Sequence, residues 1–235
     1  ALGHDVQTIK GAITLTCSEK FLARNQKRTF EQNIAAQRAI LQMYREHGIP
    51  VTRAGLMAAF GCNFEGDVPV ARVVEMVGQL LDLCAEAGET PDYVSLADSM
   101  AWATPLSIQR VVGAVRERFP TLRLSLHLHD TRGMGIANAF AGLQMGVDTF
   151  DAAVAGLGGC PFAAHRGAAG NVCTEDLVFM CEEMGVETGL DIDRLIEVAR
   201  IAEEVVGRPL PGHVMRGGTL KAAKQRGAAL RSAAQ

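Results

Sequence analysis

Two histidines near the middle of the chain have the spacing of a metal site. Residues 124–130 read LSLHLHD, which places His127 and His129 two positions apart. Residues two apart in a β-strand point to the same face, so both imidazoles lie on one side of such a strand. Two adjacent imidazoles at a strand end, followed at once by an aspartate, predict half of a divalent-metal site. A pair of core histidines with satisfied hydrogen bonds is the alternative.

A glycine-rich segment further along carries a cysteine and ends at an asparagine. Residues 155–171 read AGLGGCPFAAHRGAAGN, with Cys160 near the centre and Asn171 at the end. Glycines let a backbone approach a ligand closely. A thiol in such a loop can exchange a proton with a substrate when its pKa is tuned, and an amide oxygen can complete a hard-metal site. A packing cysteine and a helix-capping asparagine are the alternatives.

An aspartate ends another strand-like run. Asp98 and Ser99 close the sequence SLADS at residues 95–99. A carboxylate at that position can orient a ligand, a water molecule or a histidine of the neighbouring strand. We predict that Asp98 and Ser99 contact the substrate, with a turn-forming aspartate as the alternative. Cys62 and Glu65 end a further run, and no role is predicted for them.

The elements that position these residues follow one repeated pattern. A β-branched or apolar run is followed by a polar turn and then by an amphipathic helix. The predicted strands are residues 11–17, 51–60, 93–97, 122–128 and 147–154. Helix starts are predicted at Thr29, with Gln32 in the capping-box position, and at Thr104, with proline next. Further helices are predicted at about 70–88, 133–145, 174–184 and 191–206. The last residues are expected to form an exposed helix or a frayed tail.

Strand–helix units of roughly 30–40 residues predict parallel strands joined by right-handed crossovers. A doubly wound sheet and a (βα)8 TIM barrel both fit, but no GxGxxG follows the first strand. The unusual polar residues cluster at the C-terminal ends of several strands, which a barrel gathers at one mouth. We therefore predict an α/β fold, a TIM barrel. Eight units close a barrel, so about three N-terminal βα units are expected upstream. Residues 1–211 are assigned to the five C-terminal units and 212–235 to a C-terminal extension.

Composition excludes several classes of function. The formal net charge of −3 and pI of about 6.1 give no basic face for nucleic acid or an anionic membrane. The six cysteines form no CxxC pair, which predicts a reducing, cytoplasmic location rather than a disulfide framework. The first residues do not resemble a targeting peptide, and no apolar run approaches the roughly 20 residues of a membrane span.

Three motifs taken together resemble the 3-hydroxy-3-methylglutaryl-CoA lyase family, the HMGL-like enzymes of the DRE-TIM metallolyase superfamily. Residues 127–163 read HLHDTRGMGIANAFAGLQMGVDTFDAAVAGLGGCPFA, and residues 170–191 read GNVCTEDLVFMCEEMGVETGLD. The similarity runs from about residue 18 to about residue 211. The combination of HxHDTxG, GLGGCPFA and GNxxTEDLV is specific, whereas each alone is weak. The family fold is a (βα)8 barrel, in agreement with the strand pattern.

The resemblance implies a reaction and a site. His127, His129 and Asn171 match ligands to Mg²⁺ or Mn²⁺, Cys160 matches the catalytic thiol, and Asp98 matches an aspartate at the mouth. The implied reaction cleaves an acyl-CoA substrate to acetyl-CoA and a keto acid, acetoacetate in the parent case, with His127 as a candidate base. We also expect a homo-oligomer, a dimer, and neither a nucleic-acid nor a membrane partner.

Departures from the family pattern leave the substrate open. The family's arginine–aspartate pair on the first strand has no counterpart, and residues 99–104 read SMAWAT in place of a glycine-rich run. His165 and Arg166 lengthen the cysteine loop. A methylmalyl- or citramalyl-type CoA thioester is the nearest alternative substrate. An aldolase of the 4-hydroxy-2-oxovalerate type is disfavoured by the cysteine loop, and a non-catalytic truncated barrel is the alternative from another class.

Overall fold

Five parallel strands form the sheet that carries the predicted site. The structure, a computed structural model, describes residues 10–159 and 170–233. Its strands are β1 (Gly11–Thr16), β2 (Val51–Met57), β3 (Tyr93–Ala97), β4 (Leu124–His127) and β5 (Thr149–Asp151). They pair in chain order, and every pair is parallel. The predicted α/β fold is confirmed.

Helices connect the strands, because parallel neighbours need a crossover. They are α1 (Glu19–Gln26), α2 (Phe30–Glu46), α3 (Val70–Glu86), α4 (Pro105–Arg118), α5 (Gly135–Gln144), α6 (Thr174–Glu183), α7 (Ile192–Val206), α8 (Val214–Gly217) and α9 (Leu220–Ala233). A short 3₁₀ turn, Val154–Gly156, follows β5. Among the described residues, none of these helices has the length and apolar character needed to cross a membrane.

The sheet has one apolar and one polar face, because side chains alternate along each strand. Leu15, Leu56, Leu96 and Leu126 are fully buried and belong to the main hydrophobic core. The opposite face carries polar side chains, namely Thr14, Arg53, Ser95, His127 and Asp151. This polar face positions the site.

The sheet curves strongly toward its polar face. Arg53 on β2 forms a hydrogen-bonded ion pair with Asp151 on β5. Three inter-strand steps separate these strands, which amounts to roughly 14 Å in a flat sheet at about 4.8 Å a step. A direct contact between the two side chains therefore requires the curvature of a barrel wall, with the polar face inside.

Helix starts agree well with the sequence, and strand ends agree less well. Thr29 and Gln32 form the predicted capping box, and Thr104 caps α4 with Pro105 in the first helical position. The second strand ends at Met57 rather than at residue 60, because Ala58 adopts a left-handed conformation with φ of 53°. The fourth and fifth strands are also shorter than predicted.

Three helices were not predicted as such. Helix α1 has a low apolar content, and Ser18 caps it by accepting a hydrogen bond from the Phe21 amide. Helix α8 is a single turn whose Val214 and Met215 are buried. Helix α9 is exposed along most of its length, which is one of the two alternatives offered for the C-terminus.

Candidate metal centre

The two predicted histidines lie side by side where β4 ends. Their Nε2 atoms are 3.3 Å apart, and the ring centroids are 5.1 Å apart at 66°. Both side chains are partly buried. The sequence prediction that His127 and His129 share a face therefore matches their placement.

Each imidazole is held through its other nitrogen by a hydrogen-bond acceptor. His127 Nδ1 lies 3.1 Å from Asp151 Oδ2, and His129 Nδ1 lies 3.1 Å from the Ser99 carbonyl oxygen. A carboxylate and a carbonyl can only accept, so both neutral rings carry their proton on Nδ1. The two Nε2 lone pairs then face one another at 3.3 Å. Two facing lone pairs repel each other unless a cation lies between them. Histidines that bind a metal through one ring nitrogen usually have the other nitrogen held by a hydrogen-bond acceptor, as both rings do here.

The electrostatics keep His129 neutral. Burial lowers the pKa of His129, and the neighbouring His127 lowers it further. The hydrogen bond to the Ser99 carbonyl and the Asn171 side chain act in the opposite direction but do not cancel the burial effect on this pKa. A neutral imidazole is the form that binds metal.

Asn171 is brought to the imidazole pair by backbone pairing. His129 and Asn171 form an antiparallel bridge, with the Val172 amide donating to the Leu128 carbonyl at 2.9 Å and the Asp130 amide donating to the Gly170 carbonyl at 2.9 Å. The Asn171 side chain lies close enough to His129 to raise the pKa of that imidazole. Helix α6 is capped at Cys173, so Asn171 does not occupy the capping position.

Two charged residues that the sequence analysis did not single out complete the network. Asp151 bridges His127 and Arg53, and Arg53 also donates to Ser95 Oγ at 3.1 Å. Burial acts to raise the pKa of Asp151, but His127 and Arg53 together outweigh it and hold this pKa below its usual range. A signal existed in the sequence, because an arginine inside an otherwise apolar strand needs a buried partner.

Asp98 lies at the end of β3 and is 1% exposed. Its Oδ1 accepts a hydrogen bond from the Trp102 amide at 2.7 Å, whereas Oδ2 is buried and has no hydrogen-bond partner among the described residues. Burial raises the pKa of Asp98 to about 6, against the Trp102 and Ala103 amides and the charges of Arg132 and His127, which lower it. An acid in this state exchanges a proton near neutral pH.

The residues after Asp98 contact the neighbouring strand end and the imidazole pair. Ser99 Oγ accepts from the Ala58 amide at 2.9 Å, and its carbonyl anchors His129. Trp102 Nε1 donates to Asn63 Oδ1 at 2.6 Å. A Cβ on Gly61 would lie 2.5 Å from the Trp102 ring, so only glycine lets the ring pack there.

Of the other residues that the sequence analysis named, three lie outside the part of the chain that the structure describes and two lie within it. Cys160, His165 and Arg166 lie outside the described residues. Cys62 is buried, with its sulfur 3.0 Å from Ser18 Oγ, and Glu65 Oε1 accepts from the Lys20 amide at 3.3 Å. These two residues support the loop at the end of β2.

The donor set suits a hard or borderline divalent ion. Two imidazole nitrogens and a carboxamide converge, with a carboxylate behind one ring and a carbonyl behind the other. Nitrogen and oxygen donors without sulfur are the ligands preferred by Mg²⁺ and Mn²⁺ sites of mixed type. The residues present therefore fit such an ion.

Comparison with known proteins gives a consistent result. The family model described as HMGL-like matches residues 5–202. The chain is 40% identical to hydroxymethylglutaryl-CoA lyase YngG of Bacillus subtilis, over 68% of this chain and 51% of that protein. It is 37% identical to (R)-citramalyl-CoA lyase of Chloroflexus aurantiacus, over 88% of this chain and 62% of that protein.

A solved structure has the same fold. An HMG-CoA lyase from Acinetobacter baumannii, in complex with coenzyme A and 3-methylmalate, superposes with a TM-score of 0.76 at 35% identity. The match covers 88% of this chain and 65% of that one. The chain thus spans between about half and two thirds of the length of these relatives.

Proposed function

Because the chain belongs to the HMGL-like family, we propose that it carries the metal centre of a carbon–carbon lyase. The substrate is 3-hydroxy-3-methylglutaryl-CoA or a close 3-hydroxyacyl-CoA, and the products are acetyl-CoA and a keto acid. The observation that supports this most directly is the facing Nε2 pair of His127 and His129, with both Nδ1 atoms anchored to acceptors.

A divalent metal is implied by family membership, and we assign Mg²⁺ or Mn²⁺ to His127, His129 and Asn171. When bound, such an ion supplies Lewis-acid chemistry that lowers the pKa of a substrate hydroxyl. The protein's own contribution is orientation. Asp151 and the Ser99 carbonyl fix the two rings, so that their lone pairs point into one space without reorganisation.

Proton handling is assigned to groups around the imidazoles. His127 is proposed as a base as well as a ligand: Asp151, which Arg53 keeps charged, holds the Nδ1 proton, so the Nε2 lone pair is the one that takes a substrate proton when it is not bound to the ion. Asp98 is proposed to contact the substrate oxygen and to exchange its proton, because its pKa of about 6 lies near neutrality. Ser99 is proposed to contact the substrate while its carbonyl holds His129.

Cys160 is proposed to protonate the carbon that the bond cleavage leaves as an enolate. This role rests on the sequence, since the residue lies outside the described part of the chain. Its neighbours on either side support the placement: Gly158 lies against Asn171, where a Cβ would be 3.0 Å from the amide nitrogen, and Gly170 pairs with Asp130. Both ends of the cysteine segment therefore start at the metal centre.

The acyl group has a second candidate. Trp102 packs at the mouth against Gly61 and Asn63, where the family's glycine-rich run leaves more room. A narrower mouth favours a smaller acyl chain, such as that of citramalyl-CoA, the substrate named for one relative at 37% identity. Release of the acyl-CoA product from a panel of HMG-CoA, citramalyl-CoA and methylmalyl-CoA separates the two proposals; this product is acetyl-CoA for the first two and propionyl-CoA for methylmalyl-CoA. Faster turnover of the smaller thioesters, reversed by Trp102→Gly, would favour the second.

The proposed centre is tested with Mn²⁺ in the full protein. His129→Ala should abolish tight Mn²⁺ binding, measured by electron paramagnetic resonance, and should abolish acetyl-CoA release. His47→Ala is the matched control, because His47 is exposed and bonds only locally to the Met43 carbonyl. Unchanged Mn²⁺ binding by His129→Ala would contradict the assignment. A dimer and a cytoplasmic location remain predictions from the sequence, to be checked by light scattering and fractionation.

A further inference from the structure

A second group of donor atoms meets at the start of α6. Cys173, Glu175 and Asp176 are all buried, and their ligand atoms lie within 4.8 Å of one another. A thiol and two carboxylates differ in kind from the imidazole–amide set at the end of β4. Sulfur among the donors shifts metal preference from Mg²⁺ toward Zn²⁺.

The hydrogen bonds of Glu175 do not account for the complete burial of its carboxylate. Its side chain is completely buried, and Oε2 accepts a hydrogen bond from the Ala155 amide at 3.0 Å. The other oxygen, Oε1, is buried and has no N–H or O–H partner among the described residues, and the Cys173 thiol is the side chain that interacts with this carboxylate. An unsatisfied carboxylate oxygen in the interior is strongly unfavourable, so a ligand for it is expected.

The free oxygen points into a space that a glycine keeps open. A Cβ built on Gly212 would lie 2.5 Å from Glu175 Oε1, 3.1 Å from Met215 Sδ and 3.2 Å from Cys173 Sγ. One oxygen and two sulfurs therefore converge beside Gly212, and any larger residue would fill the place where they meet.

Among the described residues, His213 is the basic side chain that contacts this cluster, with its Nδ1 2.9 Å from Asp176 Oδ2. No lysine or arginine in the described ranges forms an ion pair with Glu175 or Asp176. The N-terminus of α6 supplies only about half an elementary charge, against two carboxylates. Asp176 accepts from three N–H groups, those of the His213 backbone, the His213 ring and the Val214 backbone. The His213 backbone N–H is shared by both Asp176 oxygens, so the four acceptor positions of this carboxylate are occupied and a cation would displace one of these contacts.

We propose that Cys173 Sγ, Glu175 Oε1 and one Asp176 oxygen bind a Zn²⁺ ion, at a site separate from the imidazole centre. On binding, the S–H bond of Cys173 breaks, a sulfur–zinc bond forms, and the proton leaves to the solvent. The site is structural, because it joins the backbone at Ala155, the first turn of α6 and the segment around Gly212. It thereby fixes the start of the glycine-rich segment.

Co²⁺ is the probe, because it replaces Zn²⁺ and its bond to a thiolate gives a charge-transfer absorption band. Imidazole, amide and carboxylate ligands do not give this band. We expect one equivalent of Co²⁺ to produce it in the unmodified protein, and Zn²⁺ to displace it. Cys173→Ser, which preserves side-chain size, should lose the band completely. Glu175→Gln retains an acceptor for the Ala155 amide and should weaken Co²⁺ binding at least tenfold.

Three controls make the result decisive. Cys181→Ser removes another buried thiol on the same helix and should leave the band unchanged. His129→Ala should also leave it unchanged, so failure of the lyase proposal and failure of this one are distinguishable. Cys160→Ser should retain the band. Absence of the band in the unmodified protein, its retention in Cys173→Ser or Cys173→Ala with native circular dichroism, or its loss in Cys160→Ser would each overturn the zinc site.

Discussion

The ends of β3 and β5 each carry an aspartate beside the imidazole pair, and the two carboxyls are in opposite electrostatic states. At β5, Asp151 contacts Arg53 and His127, which hold its pKa below the usual range although burial acts to raise it. At β3, Asp98 is 1% exposed and forms no ion pair with any residue that the structure describes, and burial raises its pKa to about 6. The residue type is the same and both aspartates lie at a strand end, so burial and the partners of each carboxyl decide its charge.

The two carboxyls are therefore suited to different roles at the site. A carboxylate that remains charged is suited to hold a ring in one tautomer, as Asp151 does for His127. A carboxyl that titrates near neutrality is suited to exchange a proton with a substrate. Substitutions at one strand end at a time should separate the two roles, because each removes either the permanent charge of Asp151 or the titration of Asp98.

The largest expected effect is a pH dependence of stability caused by Asp98. A carboxyl whose folded pKa is raised stabilises the fold below its unfolded pKa and loses this contribution as pH rises through the folded value. A rise from 3.8 to about 6 corresponds to about 3 kcal/mol at most. Between pH 4 and 7 the free energy of unfolding of the unmodified protein should therefore fall by about 2–3 kcal/mol relative to Asp98→Asn.

Urea unfolding in the presence of EDTA measures this difference without bound metal. The comparison between pH values removes any constant offset from the new amide. If the free energies of unfolding of the unmodified protein and of Asp98→Asn changed with pH in parallel, the pKa of Asp98 would not be raised, and the difference from Asp151 inferred above would be wrong.

Removal of the charge at the end of β5 should have the next largest effect. Asp151→Asn keeps the shape but no longer fixes His127, and loss of such an outer-shell partner typically costs 10–100-fold in metal affinity. Isothermal titration with Mn²⁺ measures the change. Asp148→Asn is the matched control, because Asp148 is 67% exposed and contacts exposed Arg123 and the adjacent Thr149 hydroxyl, away from the imidazole pair. Equal Mn²⁺ affinities of Asp151→Asn and Asp148→Asn would mean that the hydrogen bond from His127 to Asp151 does not contribute to metal binding.

The Arg53–Asp151 pair should show a smaller, measurable coupling. Both side chains are about one-third exposed (35% and 31%), so solvent screening reduces the interaction. A double-mutant cycle with Arg53→Met and Asp151→Asn should give a coupling free energy of about 1 kcal/mol. Thermal unfolding of the four proteins supplies it, and strict additivity would argue that Arg53 does not maintain the Asp151 charge.

The smallest expected effect concerns the turn that holds Asp98. Ala101 has φ of 55°, a left-handed conformation that costs an L-residue about 1–2 kcal/mol and glycine almost nothing. The greater freedom of glycine in the unfolded chain offsets most of this gain. Ala101→Gly should therefore stabilise the protein by about 0.5 kcal/mol, seen as a small rise in Tm. A fall in Tm would mean that contacts of the Ala101 methyl group stabilise the turn.

Much of the fold could be predicted from the sequence because its signals are local. Alternation and apolar runs placed all five described strands, and the boundaries of β3 were correct. The capping box at Thr29 and the Thr104–Pro105 start depend on side chains three positions apart, so they too are readable. The strand ends were predicted too long because burial continues past the point where the backbone turns, as at Ala58.

The candidate site was only partly readable. Spacing placed His127 and His129 on one face, and the motif around Asn171 identified a third candidate ligand. The anchors of the two rings could not be found this way, because Asp151 lies 24 positions from His127, and Ser99 lies 30 positions from His129. Glu175 and Asp176 read only as favourable residues for a first helical turn, and their convergence with Cys173 and Gly212 emerged from the structure.

Which residues can act as ligands, and on which face of a strand they lie, follows from the chain alone, because side-chain type and the two-residue period are local properties. Their protonation and their partners depend on the folded arrangement. Curvature of the sheet brings Arg53 across two strands to Asp151, and burial raises the pKa of Asp98 more than the charges of Arg132 and His127 lower it. Charge in a protein interior depends on distances between segments remote in the chain, and those distances exist only after folding.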